Sequence, residues 1–300
     1  MADLPPNSAA KTASSVRKPP KQPGPRPDIA TLGGIVVALA GILGGLLLEK
    51  GSIQDVAQAT AAMIVLGGTF GAVLVTTPLP VFVRACKGLG NAFLDKGSSI
   101  AATVDALIRY ATLARKNGIV SLETETVAIK DPFLRKALNL AVDGTDLQEL
   151  RKMMELDISL GELSGEADAK VWEAAGGYAP TIGIIGAVMG LIQVMKNLED
   201  IKAVGHGIAV AFVATLYGVA SANIFFLPVA NKLRGRVRAA VLLQDLILEG
   251  VVGIVEGLNP TLIRMRLEAY DQDSRKPVKA KAVKAAARPG PAGQPAPGES

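Results

Sequence analysis

Four stretches of this chain carry no Asp, Glu, Lys, Arg or His over bilayer length: residues 29–48, 56–83, 178–195 and 208–229. About 20 residues at 1.5 Å rise cross a hydrocarbon core of roughly 30 Å, so each run is long enough to span a membrane as a helix. A lipid interior leaves no other partner for backbone N–H and C=O groups, which restricts such runs to helices or closed barrels. No alternating apolar–polar pattern argues for strands. A mean hydropathy of +0.34 with 20% charged residues agrees with an integral membrane protein. The expected fold is all-α: four transmembrane helices, a helical cytoplasmic domain between spans two and three, and a C-terminal cytoplasmic helix.

The net charge of +5 does not indicate nucleic-acid binding. Residues 1–28 carry five Lys or Arg against two Asp, and residues 271–300 carry six against three acidic residues. Both tails are rich in Pro, Ala and Lys and read as disordered cytoplasmic segments. Lys and Arg also follow span two (Arg84, Lys87) and span four, in "NKLRGRVR". The loops around 49–55 and 196–207 are short and mixed in sign. By the positive-inside rule both termini and the middle segment are cytoplasmic. The expected divisions are 1–28 tail, 29–83 spans one and two, 84–176 middle domain, 177–230 spans three and four, 231–270 C-terminal helices, and 271–300 tail.

The middle segment has helical periodicity. Ile100, Val104, Leu107, Ile108 and Ala111 share one face, and Leu147, Leu150, Met153, Met154 and Leu160 repeat the pattern after Thr145, a candidate N-cap. Gly41/Gly45, Gly67/Gly71, Gly186/Gly190 and Ala214/Gly218 place small residues four apart, the spacing that lets membrane helices approach closely. Gly183 joins the same face of span three. Pro180 and Pro228 fall at the expected ends of spans three and four, as helix terminators or as joints. Thr215 is a polar group within span four.

No P-loop, no His/Cys metal spacing and no Ser-His-Asp set is present, so the chain does not read as an enzyme and implies no metal or cofactor. With one cysteine, Cys86, it forms no intramolecular disulfide. The lone His206 reads as a solvated loop residue. Ion carriers mark their path with ionisable groups at membrane depth. This chain has none there, so either it moves no ions or a partner helix brings the titrating group.

The blocks "GGYAPTIGIIGAVMGLIQVMKNLED", "GIAVAFVATLYGVASANIFFLPVANKL" and "EGLNPTLIRMRL" resemble the A subunit of the bacterial flagellar motor stator, of the MotA/PomA type within the MotA/TolQ/ExbB proton channel superfamily. The resemblance runs from about residue 29 to 269 and excludes the tails. It implies an inner-membrane ring of A subunits around a B-subunit dimer, whose aspartate binds the coupling ion. It also implies a push on the switch protein of the rotor's C-ring. The family's rotor-contact Arg and Glu, eight residues apart in a segment ending "SLE", map onto Arg115 and Glu123 of "ARKNGIVSLE". Its two functional prolines map onto Pro180 and Pro228, and its span-four threonine onto Thr215. "MKNLED" and "ATLYG" resemble sodium-coupled members, yet Ala187 stands where those carry a second threonine. A lost hydroxyl removes an oxygen ligand for a hard cation, which favours H+ over Na+. The related ExbB/TolQ energisers typically have three spans and an outward N-terminus. Four spans and "GLNPTLIRMRL" separate this chain from them.

Overall fold

The computed structural model describes residues 26–95 and 100–270. Strand β1 (Arg26–Pro27) pairs antiparallel with β2 (Leu94–Asp95), and Asp28 N–H donates to the Phe93 carbonyl at 2.8 Å. This is the only strand pair among the described residues. Residues 26–28, expected in the disordered first tail, are therefore built into the fold; 1–25 and the whole second tail lie outside the described residues.

Helix α1 (Ile29–Leu48) is capped by Asp28, whose carboxylate accepts from the Thr31 N–H at 3.2 Å. A Ser52/Asp55 capping box opens α2 (Ile53–Val56), and the chain breaks at Ala57–Gln58 before α3 (Ala59–Ala62). A π-helical turn over Met63–Gly67 leads into α4 (Gly68–Thr76). Span two was expected to reach residue 83 and instead ends at Thr76. Pro78 forces Thr77 into extended backbone (φ −126°, ψ 129°), and α5 (Leu79–Gly88) begins anew, followed by α6 (Gly90–Phe93).

Helix α7 (Ile100–Asn117) turns at Gly118 (φ +82°) through a 3-10 turn, Ile119–Leu122, into α8 (Glu123–Thr126). Asp131 caps α9 (Pro132–Val142), accepting from the Phe133 and Leu134 N–H groups at 2.9 and 3.1 Å. The cap of α10 (Leu147–Lys196) is Asp146, which accepts from Gln148 N–H at 2.9 Å; the expected Thr145 stands one residue outside. The carboxylate both accepts the bond and complements the helix N-terminus.

Neither Pro180 nor Pro228 ends its helix. Pro180 lies inside the 50-residue α10. Pro228 is the second residue of α12 (Leu227–Val255), which continues α11 (Ile201–Ala220) through a π-helical turn, Ser221–Phe226. A proline removes one i→i−4 bond and crowds the carbonyl before it. The wider π-turn immediately upstream accommodates that. His206, expected in a loop, is an exposed residue of α11, because the turn after α10 closes by Asp200. Helix α13 (Pro260–Leu267), capped by Asn259, closes the described chain with a 3-10 turn.

The chain divides into two compact units. The first takes the described residues up to Ala102 together with Leu156–Val241, and the second takes Thr103–Glu155 with the described residues from Leu242 onward. These divisions cut differently from the expected 84–176 and 231–270 domains. The core of the first unit is aromatic: Trp172 stacks on Phe226 (centroids 6.3 Å) and meets Phe225 edge-on (6.0 Å), with Phe70 edge-on to Phe226 at 5.9 Å. In the second unit Leu107, Leu122, Leu138, Leu150, Met154, Leu246 and Ile263 are fully buried. Of the expected α7 stripe, Val104, Leu107 and Ala111 are buried, while Ile100 and Ile108 are half-buried.

Helices α10 and α11 touch through backbone. A Cβ on Gly218 would lie 2.6 Å from the Ala179 carbonyl oxygen and 3.0 Å from Gly183 Cα, whereas one on Gly71 would meet nothing within 4 Å. Gly218→Ala is predicted to lower stability by about 1–3 kcal/mol, since backbone must shift to admit the methyl. Gly71→Ala is predicted to be neutral or to raise stability by up to about 1 kcal/mol through helix propensity. Thermal unfolding of the two purified variants in detergent checks both signs.

Candidate functional site

The third and fourth spans meet along a seam of small residues. Built Cβ atoms on Gly183, Gly186 and Gly190 would lie 2.9 Å from the Ala214 carbonyl oxygen, 2.7 Å from Ala214 Cβ and 2.7 Å from the Gly207 carbonyl oxygen. With Gly218 on the other side, the seam runs the length of the helix pair. Membrane helices lack a hydrophobic drive toward each other, so contact at this range carries their association.

With the small residues turned inward, the large ones turn outward. Ile184, Ile185, Val188 and Ile192 of α10 and Phe212, Leu216 and Val219 of α11 are exposed. Ala187 and Thr215 are half-buried within these faces: Ala187 follows Ile184 by three residues, and Thr215 follows Phe212 by three. The Thr215 hydroxyl donates to the Ala211 carbonyl of its own helix at 3.2 Å, which leaves its lone pairs as the polar feature of the face. The surface is long, apolar and uncharged.

The two prolines share one neighbourhood. Pro180 lacks the N–H that would bond the Gly176 carbonyl, and a Cβ on Gly176 would lie 2.6 Å from Leu227 Cδ2, next to Pro228. The turn before Pro180 thus packs on Leu227, while Pro228 itself lines a cleft with Ala30, Gly34 and Ile35 of α1. Pro180 is half-buried and Pro228 exposed.

Beyond the apolar stretches stand ion pairs that sequence reasoning missed. Arg84 Nε donates to Asp168 at 2.8 Å; Arg234 bridges Glu166 (3.3 Å) and Glu173; Lys232 and Arg236 both reach Asp28, at 2.5 and 3.4 Å. The Lys232 hydrogen bond, aided by that from Thr31 N–H, lowers the Asp28 carboxyl to about pKa 2. The Arg234 guanidinium lowers Glu173, and Glu173 raises Arg234 in turn. The available signal was "NKLRGRVR", whose lysine and arginines were read only for orientation.

Arg115 and Glu123 belong to the second unit. Arg115 is in the last turn of α7 and Glu123 opens α8, with the Gly118 turn between them. Both are exposed, and neither joins an ion pair among the described residues, unlike nearby Arg109, which pairs with Glu125 at 3.4 Å. Among the described residues no cluster of His, Cys, Asp and Glu fits a metal ion.

Two family models match the chain: motility protein A N-terminal over residues 32–118, and the MotA/TolQ/ExbB proton channel family over 125–245. Motility protein A of Bacillus subtilis is 32% identical over 244 residues, 81% of this chain and 90% of that protein. The chain belongs to the motility protein A family. Chemotaxis protein PomA of Vibrio alginolyticus is 34% identical over 249 residues, 83% of this chain and 97% of that one. Among solved structures, C. jejuni MotAB matches with a TM-score of 0.77 at 32% identity, covering 81% of this chain and 95% of that chain. The flagellar MotAB stator complex of Bacillus subtilis matches with a TM-score of 0.75 at 31% identity, covering 80% and 95%. Membership makes this a channel-family membrane protein and not an enzyme, and among the described residues four helices are long and apolar enough to cross a membrane. Ala187, Thr215, Pro180 and Pro228 lie within the channel-family match and Arg115 within the N-terminal one, whereas Glu123 falls between them.

The Asp28 pairing yields a pH prediction. Its folded pKa of about 2 lies below the ordinary aspartate value of about 3.9, so its contribution is present above the latter and is lost as pH falls through the former. The protection of the Thr31 amide, taken relative to its intrinsic exchange rate at each pH, should be the same at pH 7 and 5 and fall below about pH 4. In Asp28→Ala, which removes the acceptor, that protection should be low at every pH.

Proposed function

We propose that the chain is the A subunit of a flagellar motor stator. In this reading several copies form a ring in the bacterial inner membrane around a dimer of a B-type subunit. The observation that carries it is the uncharged outward face of α10 and α11, with Thr215 and Ala187 in it, in a chain that matches MotAB stator structures over four fifths of its length. A face without ionisable groups cannot hold the coupling ion alone, so the partner's membrane aspartate supplies the titrating carboxylate. The spans are then a smooth wall against which the partner helices turn.

Within this scheme H+ is the favoured coupling ion, because Ala187 offers no hydroxyl, and Na+ is the second candidate. Pro180 and Pro228, each inside a continuous helix that leads out of a membrane span, relay ion-dependent changes toward the cytoplasm. Arg115 and Glu123, exposed and without ion pairs among the described residues, press on the rotor switch protein and convert ion flow into torque. Both termini are cytoplasmic, so that the Arg84, Lys232, Arg234 and Arg236 level lies at the cytoplasmic membrane surface, as the positive-inside rule favours. The energiser reading is less well supported, since the relatives are motility proteins.

The test is motility and stall torque in a strain lacking the gene, with sodium and the proton gradient varied separately. Restoration by the gene, with speed following the proton gradient, is the expected result. Charge reversal at Arg115 is predicted to reduce torque by at least about tenfold while leaving protein level and ion flux intact, and a compensating reversal on the rotor is predicted to restore it in part. Unimpaired swimming of the deletion strain together with failure to copurify a B-type subunit would sink the stator reading.

A further inference from the structure

The second span is interrupted close to its start, just after Asp55. Ala57 (φ −86°, ψ 77°) adopts an inverse γ-turn in which the Gln58 N–H reaches the Val56 carbonyl at 3.2 Å, five residues into the candidate span Ile53–Thr76. Such a turn exposes the carbonyl that a continuous helix would have used, and α3 starts without a side-chain cap.

One hydroxyl answers both. Tyr217 Oη donates to the Val56 carbonyl at 2.5 Å and accepts from the Gln58 N–H at 3.4 Å, across about 160 residues of sequence. Its ring packs on the small cluster Ala61, Val65, Val213 and Ala214, beside the π-helical turn Met63–Gly67. Gln58 Oε1 is buried there with no partner among the described residues. Tyr217 follows Thr215 by two residues, about 200° around α11, so the two side chains leave the helix on nearly opposite sides.

From this arrangement we infer that Tyr217 is a positioning residue for ion transfer. Its hydroxyl clasps the turn of the second span to α11, fixes the rotation of α11, and so sets where Thr215 stands on the outward face. The inference rests on the stator reading for its functional half only. Without the hydroxyl, the Val56 carbonyl and Gln58 N–H keep only their own 3.2 Å contact, and α11 loses one of the contacts that set its rotation, the glycine seam with α10 being the other.

Tyr217→Phe removes the hydroxyl and keeps the ring. Hydrogen exchange at the Gln58 amide of the full chain, purified in detergent, should be at least about tenfold faster in this variant than in the unmodified protein. In the deletion strain carrying the variant, the concentration of coupling ion giving half-maximal swimming speed should rise by about threefold or more, with maximal speed retained. Exchange unchanged from the parent would overturn the clasp. Faster exchange with a superimposable ion dependence would overturn the positioning role. An unmodified gene that fails to restore motility would count against the stator reading, while the exchange measurement still decides the clasp.

Discussion

Backbone-to-backbone approach along the α10–α11 seam is the constraint from which the rest of the membrane unit follows. In water, two apolar helices would be driven together by burial whatever their side chains; in lipid they must fit. Gly183, Gly186, Gly190 and Gly218 let carbonyl oxygens and Cα atoms come within the space a methyl group would take. Once that edge of α11 is spent on α10, Val213, Ala214 and Tyr217 turn to the second span, and Phe212, Leu216 and Val219 turn outward. The neutral wall is thus a by-product of where the glycines are, and between Ile184 and Ile192 of α10 and Phe212 and Val219 of α11 its polar side chain is Thr215.

Charge is handled by exclusion followed by pairing. The spans hold none, and several charges beyond one end of them are paired: Arg84 with Asp168, Arg234 with Glu166 and Glu173, Lys232 and Arg236 with Asp28. Partly exposed pairs of this kind contribute modestly to stability one by one. Their directional hydrogen bonds serve better to fix helix rotation and height, which apolar contacts leave loose. Arg115 and Glu123 stand outside this pairing.

Much of this was legible in the residues themselves. Four spans, their approximate limits, the helical second unit and the small-residue spacing all follow from periodicity and hydropathy, because bilayer thickness and helix rise are fixed quantities. Family membership came from three quoted blocks. What the residues concealed was mostly local backbone. Pro78 ended span two where apolarity alone ran on to residue 83, and Pro180 and Pro228 interrupted helices without stopping them. A proline's effect depends on whether a π-turn or a packed neighbour can absorb it, and no spacing records that. Nor could composition reveal that Asp28 belongs to α12's lysine and arginine, more than 200 residues away. The same holds for the Tyr217 clasp: the tyrosine is plain to see, but its partners are backbone groups.

Helix α1 has a different standing from the other spans. It buries none of its residues in the protomer, is tied at its cap by Asp28, and stands off the π-turn of the fourth span across a cleft of about 390 Å³ lined by Ala30, Gly34, Ile35 and Pro228. In evolutionary terms such a helix answers to its surroundings more than to its own fold. Exchange of one apolar residue for another along it leaves the protomer's core untouched, so its sequence can drift with the lipid composition of the host or with whatever lies beside it. The carboxylate that anchors it is the residue such drift would have to spare.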